Sequence, residues 1–187
     1  EQYNADGRLE TITTRNGLTR TLTYENDLLK TVTGHFGREL NFEYIDGLMS
    51  KVIDPAGEET LYSYDDQQHL EIITSPDGRT TTYLFEDTNH PDSITGIKEN
   101  GVRTATYSYQ ADGKVQTSEL AGGVNKVEMT YHPDGSTTVV DALGAERTYE
   151  FETILGVRKV VNVTGDTCAS CGADINRREY DSIGNVK

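Results

Sequence analysis

Two cysteines, Cys168 and Cys171, are the residues of this chain whose type and spacing are best suited to chemistry. Their separation of three positions serves zinc ligation, thiol–disulfide exchange, a local disulfide or a tight turn. A zinc site needs about four ligands, and no histidine lies near this pair in the sequence. A thioredoxin-like couple needs the start of a helix, whereas the flanking residues are typical of strand and loop. The sequence therefore favours a structural turn, with the thiols either reduced or joined in a local disulfide.

The histidines and carboxylates do not form a recognisable catalytic motif. The four histidines are expected at turns or just after strands, exposed to solvent and in separate segments: His35, His69, His90 and His132. The acidic pairs 65–66 and 86–87 lack the spaced oxygen ligands of a dedicated calcium loop, and acidic residues are common in turns for conformational reasons. The sequence thus predicts no catalytic residue, no cofactor and no metal site.

Composition indicates an all-β protein and excludes several partners. The 187 residues include 11 Tyr, 18 Gly and no Trp, and many of the remainder are Thr. Tyr and Thr favour a half-buried sheet surface, and Gly marks turns. The formal net charge of −14 disfavours nucleic acid and anionic membrane surfaces as partners. No apolar run is long enough to cross a bilayer, so membrane insertion is not expected.

A repeat of about 20 residues organises the chain. It is anchored by an aromatic residue that precedes a polar turn, at Tyr3, Tyr24, Tyr44, Tyr64, Phe85, Tyr109, Tyr131, Phe151 and Tyr180. A glycine precedes most anchors by seven or eight positions, so each unit has two turns. The pattern predicts tandem antiparallel β-hairpins in a single array over 1–187, with an irregular Cys-containing insertion at about 164–173.

Alternation within each unit predicts one aromatic face and one polar face. The aromatic residues expected to have a structural role are Tyr24, Phe42, Tyr44, Tyr62, Tyr64, Tyr83, Phe85, Tyr107, Tyr109, Tyr131, Tyr149 and Phe151. The companion strand carries apolar residues three positions apart, such as Leu29 and Val32, which would point to opposite faces of a regular strand. We therefore expect a β-bulge or a local twist between the two members of each pair.

The anchors resemble the YD repeat of the Rhs (rearrangement hotspot) family. The segment 180–186, YDSIGNV, matches its Tyr-Asp-x-x-Gly pattern, and degenerate copies begin at Tyr3, Tyr44, Tyr64 and Tyr109. The Cys-x-x-Cys-Gly insertion also looks like a variant found in bacterial members. The resemblance implies a curved ribbon of hairpins that spirals into a hollow shell, of which this chain is a fragment.

The same resemblance implies a function and partners. Rhs shells enclose a C-terminal toxin, and the related teneurins use a similar shell in cell adhesion. The expected role is thus a non-enzymatic segment of a shell, secreted or at the cell surface as part of a larger bacterial protein. Its partners would be the remainder of that protein and an enclosed toxin. The alternative is a carbohydrate-binding or adhesive module, because older descriptions of the repeat attribute glycan binding to it.

Overall fold

The structure is a computed structural model that describes residues 1–165 and 177–187. The strands are β1 (Gln2–Tyr3), β2 (Leu9–Thr13), β3 (Thr19–Glu25), β4 (Leu28–Thr33), β5 (Glu39–Ile45), β6 (Leu48–Ile53), β7 (Glu59–Tyr64), β8 (Leu70–Thr74), β9 (Thr80–Leu84), β10 (Gly96–Glu99), β11 (Val102–Tyr109), β12 (Val115–Leu120), β13 (Val124–Tyr131), β14 (Thr137–Val140), β15 (Glu146–Ile154) and β16 (Val157–Gly165). A 3₁₀ turn at Ala121–Gly123 joins β12 to β13. Strand order follows chain order, which confirms the all-β class and the tandem antiparallel hairpins.

The chain divides into two compact units. The first contains Glu1–Tyr83 and Lys98–Val102, and the second contains Leu84–Ile97 and Arg103–Lys187. Hairpins β3–β4, β5–β6 and β7–β8 lie in the first unit, and hairpins β11–β12, β13–β14 and β15–β16 lie essentially in the second.

Two kinds of turn connect the strands. In one kind, such as the turn that begins at Asp54, the N–H of Asp54 donates to the carbonyl of Glu58 (2.9 Å) and Gly57 N–H donates back to the carbonyl of Asp54 (3.0 Å). Gly57 has a φ of +84°, a left-handed conformation that glycine adopts without steric cost. In the other kind, two residues with positive φ join the strands, as at Asn26 and Asp27.

The choice of turn accounts for the spacings of 20 and 21 among the first five anchors. Tyr3 pairs with Leu9, six positions later, across the longer turn, whereas Tyr24 pairs with Leu29, five positions later, across the shorter one. Tyr64 again pairs six positions later, with Leu70. The extra turn residue therefore gives the anchor spacing of 21 rather than 20.

Most returning strands have the expected β-bulge, whereas β14 pairs with β13 without one. In hairpin β5–β6, Tyr44 pairs with Met49 and Glu43 pairs with Lys51, which leaves Ser50 as the extra residue. Equivalent register shifts occur in β1–β2, β3–β4, β7–β8, β11–β12 and β15–β16. Because one extra residue moves the next side chain across the sheet, apolar residues three positions apart share a face. The bulge predicted from their spacing is confirmed.

The side chains on each face of the sheet are covered mainly by side chains from the adjacent strands. We call the side that carries the anchors the aromatic face, and the opposite side the polar face. Among the described residues, Ala105 is the only buried hydrophobic residue, and it is still 5% exposed. The hydrophobic side chains are therefore mostly half-buried, and stability depends on contacts between adjacent strands.

The start of the predicted insertion is ordered strand. Thr164 and Gly165 belong to β16, in which Thr164 pairs with Thr148 and Gly165 pairs with Arg147. The remainder of the predicted insertion, including Cys168 and Cys171, lies outside the described residues.

Candidate functional site

The repeated contact between successive hairpins is the candidate site, and it begins with the Tyr-Asp dipeptide. Asp181, at the first turn position, accepts hydrogen bonds at Oδ1 from the N–H groups of Ile183 (3.0 Å) and Asn185 (2.9 Å). Asp65 accepts in the same way from Gln67 (2.9 Å) and His69 (2.8 Å). The aspartate of the motif therefore caps the turn, which leaves the preceding tyrosine to contact the neighbouring hairpin.

These turn hydrogen bonds stabilise the ionised carboxylates. The pKa of Asp181 is lowered, first by the N–H of Asn185 and also by the N–H of Ile183, against a smaller opposing effect of burial. For Asp65, burial is the largest single influence and raises the pKa, but hydrogen bonds from the backbone and side chain of His69 and from Gln67 outweigh it. The net pKa of Asp65 is therefore also lowered.

The anchor tyrosine donates a hydrogen bond to the preceding hairpin. The hydroxyl of Tyr44 donates to the carbonyl of Leu29 (2.9 Å), and Leu29 is the residue that pairs with the previous anchor, Tyr24. The bulge in β4 interrupts the ladder at this position, where a side-chain donor can meet the backbone carbonyl. The tyrosine hydroxyl thus binds a backbone carbonyl next to the bulge, and such a carbonyl occurs once in each bulged hairpin.

The same bond recurs in both units. The other donor and acceptor pairs are Tyr24 with Leu9 (2.8 Å), Tyr64 with Met49 (2.9 Å), Tyr109 with Ile94 (2.6 Å), Tyr131 with Val115 (3.0 Å) and Tyr180 with Val160 (2.8 Å). We call these contacts, together with that of Tyr44, the hydroxyl ladder.

Phe151 occupies an anchor position but has no hydroxyl to donate. The guanidinium of Arg158 lies 4.5 Å from the centre of its ring, and Arg158 Nη2 donates to the carbonyl of Gly135 in the preceding turn. The arginine therefore supplies a hydrogen bond to the previous hairpin at a point where the ladder lacks one.

Cations also lie over three tyrosine anchors. Arg8 lies 5.8 Å from the ring centre of Tyr24, and Lys114 Nζ lies 5.1 Å from that of Tyr131. Lys159 Nζ lies 4.9 Å from the ring centre of Tyr180. The sequence-based reasoning missed these cations, although a basic residue directly after Asp-Gly at positions 8 and 114 was the available signal.

The remaining aromatic residues named from the sequence lie between the anchors. Phe42, Tyr62, Tyr83, Tyr107 and Tyr149 are all half-buried. Phe42 pairs with Val52 and Tyr62 pairs with Ile73, so their side chains share the aromatic face with the anchors.

Three of the four histidines are more buried than the sequence suggested, but all four remain in separate turns. His69 Nδ1 lies 2.9 Å from Asp65 Oδ2, and His90 Nδ1 lies 3.0 Å from Asp87 Oδ2. Both imidazoles are only 17% exposed, so the expectation of solvent-exposed side chains is wrong for them. A turn carboxylate holds each ring against its own hairpin.

The other two histidines contact threonine hydroxyls. His132 Nε2 lies 2.8 Å from Thr138 Oγ1 and is half-buried, which again differs from the expectation. His35 is exposed, as expected, and its Nδ1 lies 3.3 Å from Thr19 Oγ1. Within residues 1–165 and 177–187, no group of three or more His, Cys, Asp or Glu side chains could hold a metal ion. No helix in that part of the chain is long and apolar enough to cross a membrane.

A family model, the teneurin YD-shell, matches residues 1–169. The chain belongs to the teneurin YD-shell family. The YD repeat identified from the anchors is thereby confirmed over most of the sequence. In this YD-shell segment, the Tyr of the motif makes the hydroxyl ladder and the Asp caps the turn. No curated protein shows significant sequence similarity to the segment.

Solved structures of toxin complexes share the fold of this YD-shell segment. The crystal structure of TcdB2–TccC3–Cdc42 matches with 13% identity and a TM-score of 0.50, and the Photorhabdus luminescens Tc holotoxin pore with 14% identity and a TM-score of 0.51. Each match covers 97% of the segment but only 12% of the other chain. The segment therefore spans a small part of the length of these chains, and at this identity the likeness shows the fold alone.

Proposed function

We propose that this YD-shell segment is a stretch of wall in a larger shell and has no catalytic role of its own. The observation that carries the proposal is the hydroxyl ladder, because the repeated feature of the chain connects one hairpin to the next. On this proposal the hairpins form one array across 1–187, and the aromatic residues of the repeat are structural. The polar side chains at the turns cap those turns, so their abundance is explained without a catalytic role.

We further propose that the complete shell encloses a toxin carried by the same protein, which is secreted or displayed at the surface of a bacterium. Support comes from the family and from the toxin assemblies that share the fold. Limited proteolysis of the full-length parent protein tests this part. We expect a C-terminal region that resists protease until the shell is opened by denaturant, and equal susceptibility of that region before and after opening would contradict enclosure.

Deletion of one repeat tests the structural role on the chain itself. Removing residues 45–64 joins Tyr44 to Asp65, which restores a Tyr-Asp turn and retains the Tyr44–Leu29 contact. We expect a folded protein with an unchanged β signature by circular dichroism, because stability in repeat arrays is approximately a sum over units and their interfaces. The control deletes residues 45–54, which removes a single strand and reverses the direction of the chain. Unfolding by both deletions would contradict the proposal.

Glycan binding is the second candidate, because half-buried tyrosine rings line the aromatic face in both units. The Tyr62 side chain is available for stacking on a sugar, since it is not an anchor of the hydroxyl ladder and no cation among the described residues lies over its ring. A glycan array probed with the soluble segment tests the idea. Saturable binding that is lost in Tyr62→Ala would support it, whereas the wall proposal predicts no specific glycan signal.

A further inference from the structure

Several apolar side chains interrupt the polar face of the first unit, and three of them are neighbours in the sheet. Leu61 pairs with Lys51 on one side and with Thr74 on the other. Ile53 lies two residues after Lys51, and Ile72 lies two residues before Thr74, so all of them lie on the same face. We call Ile53, Leu61 and Ile72 the apolar patch.

Other repeats show that the fold does not require this patch. At the position of Leu61, three residues before the anchor, they have Thr21, Asn41, Thr82, Thr106, Glu128 and Thr148. At the position of Ile72, directly after the bulge, they have Thr11, Thr31, Lys51, Thr117 and Asn162. Two residues later, at the position of Ile53, they have Thr13, Thr33, Thr74, Glu119 and Thr164.

These positions are polar in the other repeats except at Val140, which pairs with Glu128 at the position of Ile53, so the three are apolar together at one place only. Hairpins with Thr, Asn, Lys or Glu there keep the same bulge and turns. Packing within the array therefore does not explain the patch. Departures from a pattern that the rest of the chain obeys concentrate at functional sites.

The surface around the patch is concave and charged at its rim. A groove of about 500 Å³ has Glu43, Lys51, Leu61 and Ile72 in its lining, and Tyr44 and Tyr62 of the neighbouring aromatic positions also line it. Leu61 remains 42% exposed within it. An apolar centre with a polar rim is the anatomy of a protein-binding site. A groove of this size accommodates a few side chains, which fits a peptide better than a second globular surface.

The charged side chains at the edge of the groove favour a positively charged partner. Lys51 Nζ lies 3.0 Å from Glu59 Oε1 and 3.7 Å from Glu43 Oε2. One ammonium between two carboxylates leaves a net negative charge beside the apolar centre. The whole chain, with a formal charge of −14, adds to this field.

We propose that the groove around the apolar patch binds a peptide segment with an apolar side chain next to a lysine or arginine. The apolar side chain would contact Leu61 and Ile72, and the cation would lie beside Glu43 or Glu59. This interaction goes beyond the proposed wall function, and its apolar centre lies on the polar face.

Titration of the ¹⁵N-labelled segment with short peptides tests the proposal by amide chemical shifts. The probe is the acetylated and amidated tripeptide leucine–lysine–leucine, and the control is leucine–glutamate–leucine. We expect saturable shifts centred on Lys51, Leu61 and Ile72. The glutamate peptide should bind roughly fivefold more weakly or worse, because the exchange replaces an attractive surface contact with a repulsive one.

Two variants separate the patch from the rest of the molecule. Leu61→Thr introduces the residue found at the same position in other repeats, so it should fold and lose the saturable shifts. Tyr83→Phe changes a residue of the aromatic face that does not line the groove and should bind normally. If Leu61→Thr fails to fold, Ile72→Thr provides the same test.

Several results would overturn the proposal. These are unsaturable shifts, equal binding of the glutamate peptide, persistence of binding in a folded Leu61→Thr variant, and shifts centred on the aromatic face. Concentration-dependent dimerisation that Leu61→Thr abolishes would assign the patch to self-association instead. Since none of these results concerns the deletion of residues 45–64, the wall proposal is tested separately.

Discussion

Removal of one hydroxyl from the ladder measures how strongly successive hairpins are coupled. Tyr44→Phe keeps the ring but deletes the donor to the carbonyl of Leu29, a bond of 2.9 Å in a half-buried position. A neutral hydrogen bond contributes about 0.5–1.5 kcal/mol net. Water can reach a half-buried carbonyl and offset part of the loss, so we expect Tyr44→Phe to lower the free energy of unfolding by about 1 kcal/mol.

The matched control is Tyr62→Phe. Tyr62 lies on the same face, two residues before an anchor, and among the described residues its hydroxyl makes no hydrogen bond. We expect this change to alter the free energy of unfolding by less than about 0.5 kcal/mol. Both values can be read from urea denaturation followed by circular dichroism, with a loss of 1 kcal/mol lowering the melting temperature by about 2–4 °C for a chain of this size.

The comparison of the two variants decides the question. If Tyr44→Phe costs no more than Tyr62→Phe, the hydroxyl contributes nothing to coupling, and the anchors act through ring packing alone. The same pair of measurements at Tyr24 and Tyr64 would show whether the contribution repeats, as the equivalent bonds of 2.8 and 2.9 Å imply.

Three further changes probe the anchors and turns. Phe151→Tyr should raise the free energy of unfolding by up to about 1 kcal/mol if the new hydroxyl reaches the preceding hairpin, and an unchanged denaturation midpoint would show that Arg158 already fills this role. Gly57→Ala, at a φ of +84°, should lower the free energy of unfolding by about 1 kcal/mol. Gly34→Ala is the control, because Gly34 has an ordinary φ and its added Cβ would meet only the Arg38 carbonyl oxygen, 3.6 Å away, so the change should be nearly neutral. Equal losses in the two variants would refute the backbone explanation. The lowered pKa of Asp65 means that its ionised form contributes stability above the unfolded-state pKa, and that this contribution is lost as pH falls through the folded-state pKa. Stability measured against pH should therefore fall less below about pH 4 in Asp65→Asn, which keeps the turn acceptor without titrating, and parallel curves would contradict this.

Much of the fold could be predicted because its determinants are local and repeated. Glycine at turn positions indicates where the chain reverses, and alternation into each anchor indicates which side chains share a face. Even the bulge was predictable, since Leu29 and Val32 share a face only if an extra residue lies between them. These features depend on backbone geometry within one hairpin, which the sequence specifies directly.

The contacts between hairpins could not be predicted in the same way. Periodicity places Tyr44 on the aromatic face, but it does not show that the hydroxyl reaches the carbonyl of Leu29, because that distance depends on the separation of two hairpins. The position of Lys114 over Tyr131 likewise depends on how a turn of one hairpin meets the next strand. His69 was misjudged for a related reason, since its burial follows from the second oxygen of Asp65 rather than from its own position in the turn.

The acceptor of the hydroxyl ladder is defined by its location in the sheet and not by its distance along the chain. Tyr44 reaches back 15 residues, Tyr131 reaches back 16 and Tyr180 reaches back 20, yet each meets the residue that faces the previous anchor. A turn can consequently gain or lose residues without displacing the hairpins on either side. Insertions and deletions are thereby confined to the turns at the strand ends, where new loops can diversify while the spacing between successive hairpins is preserved.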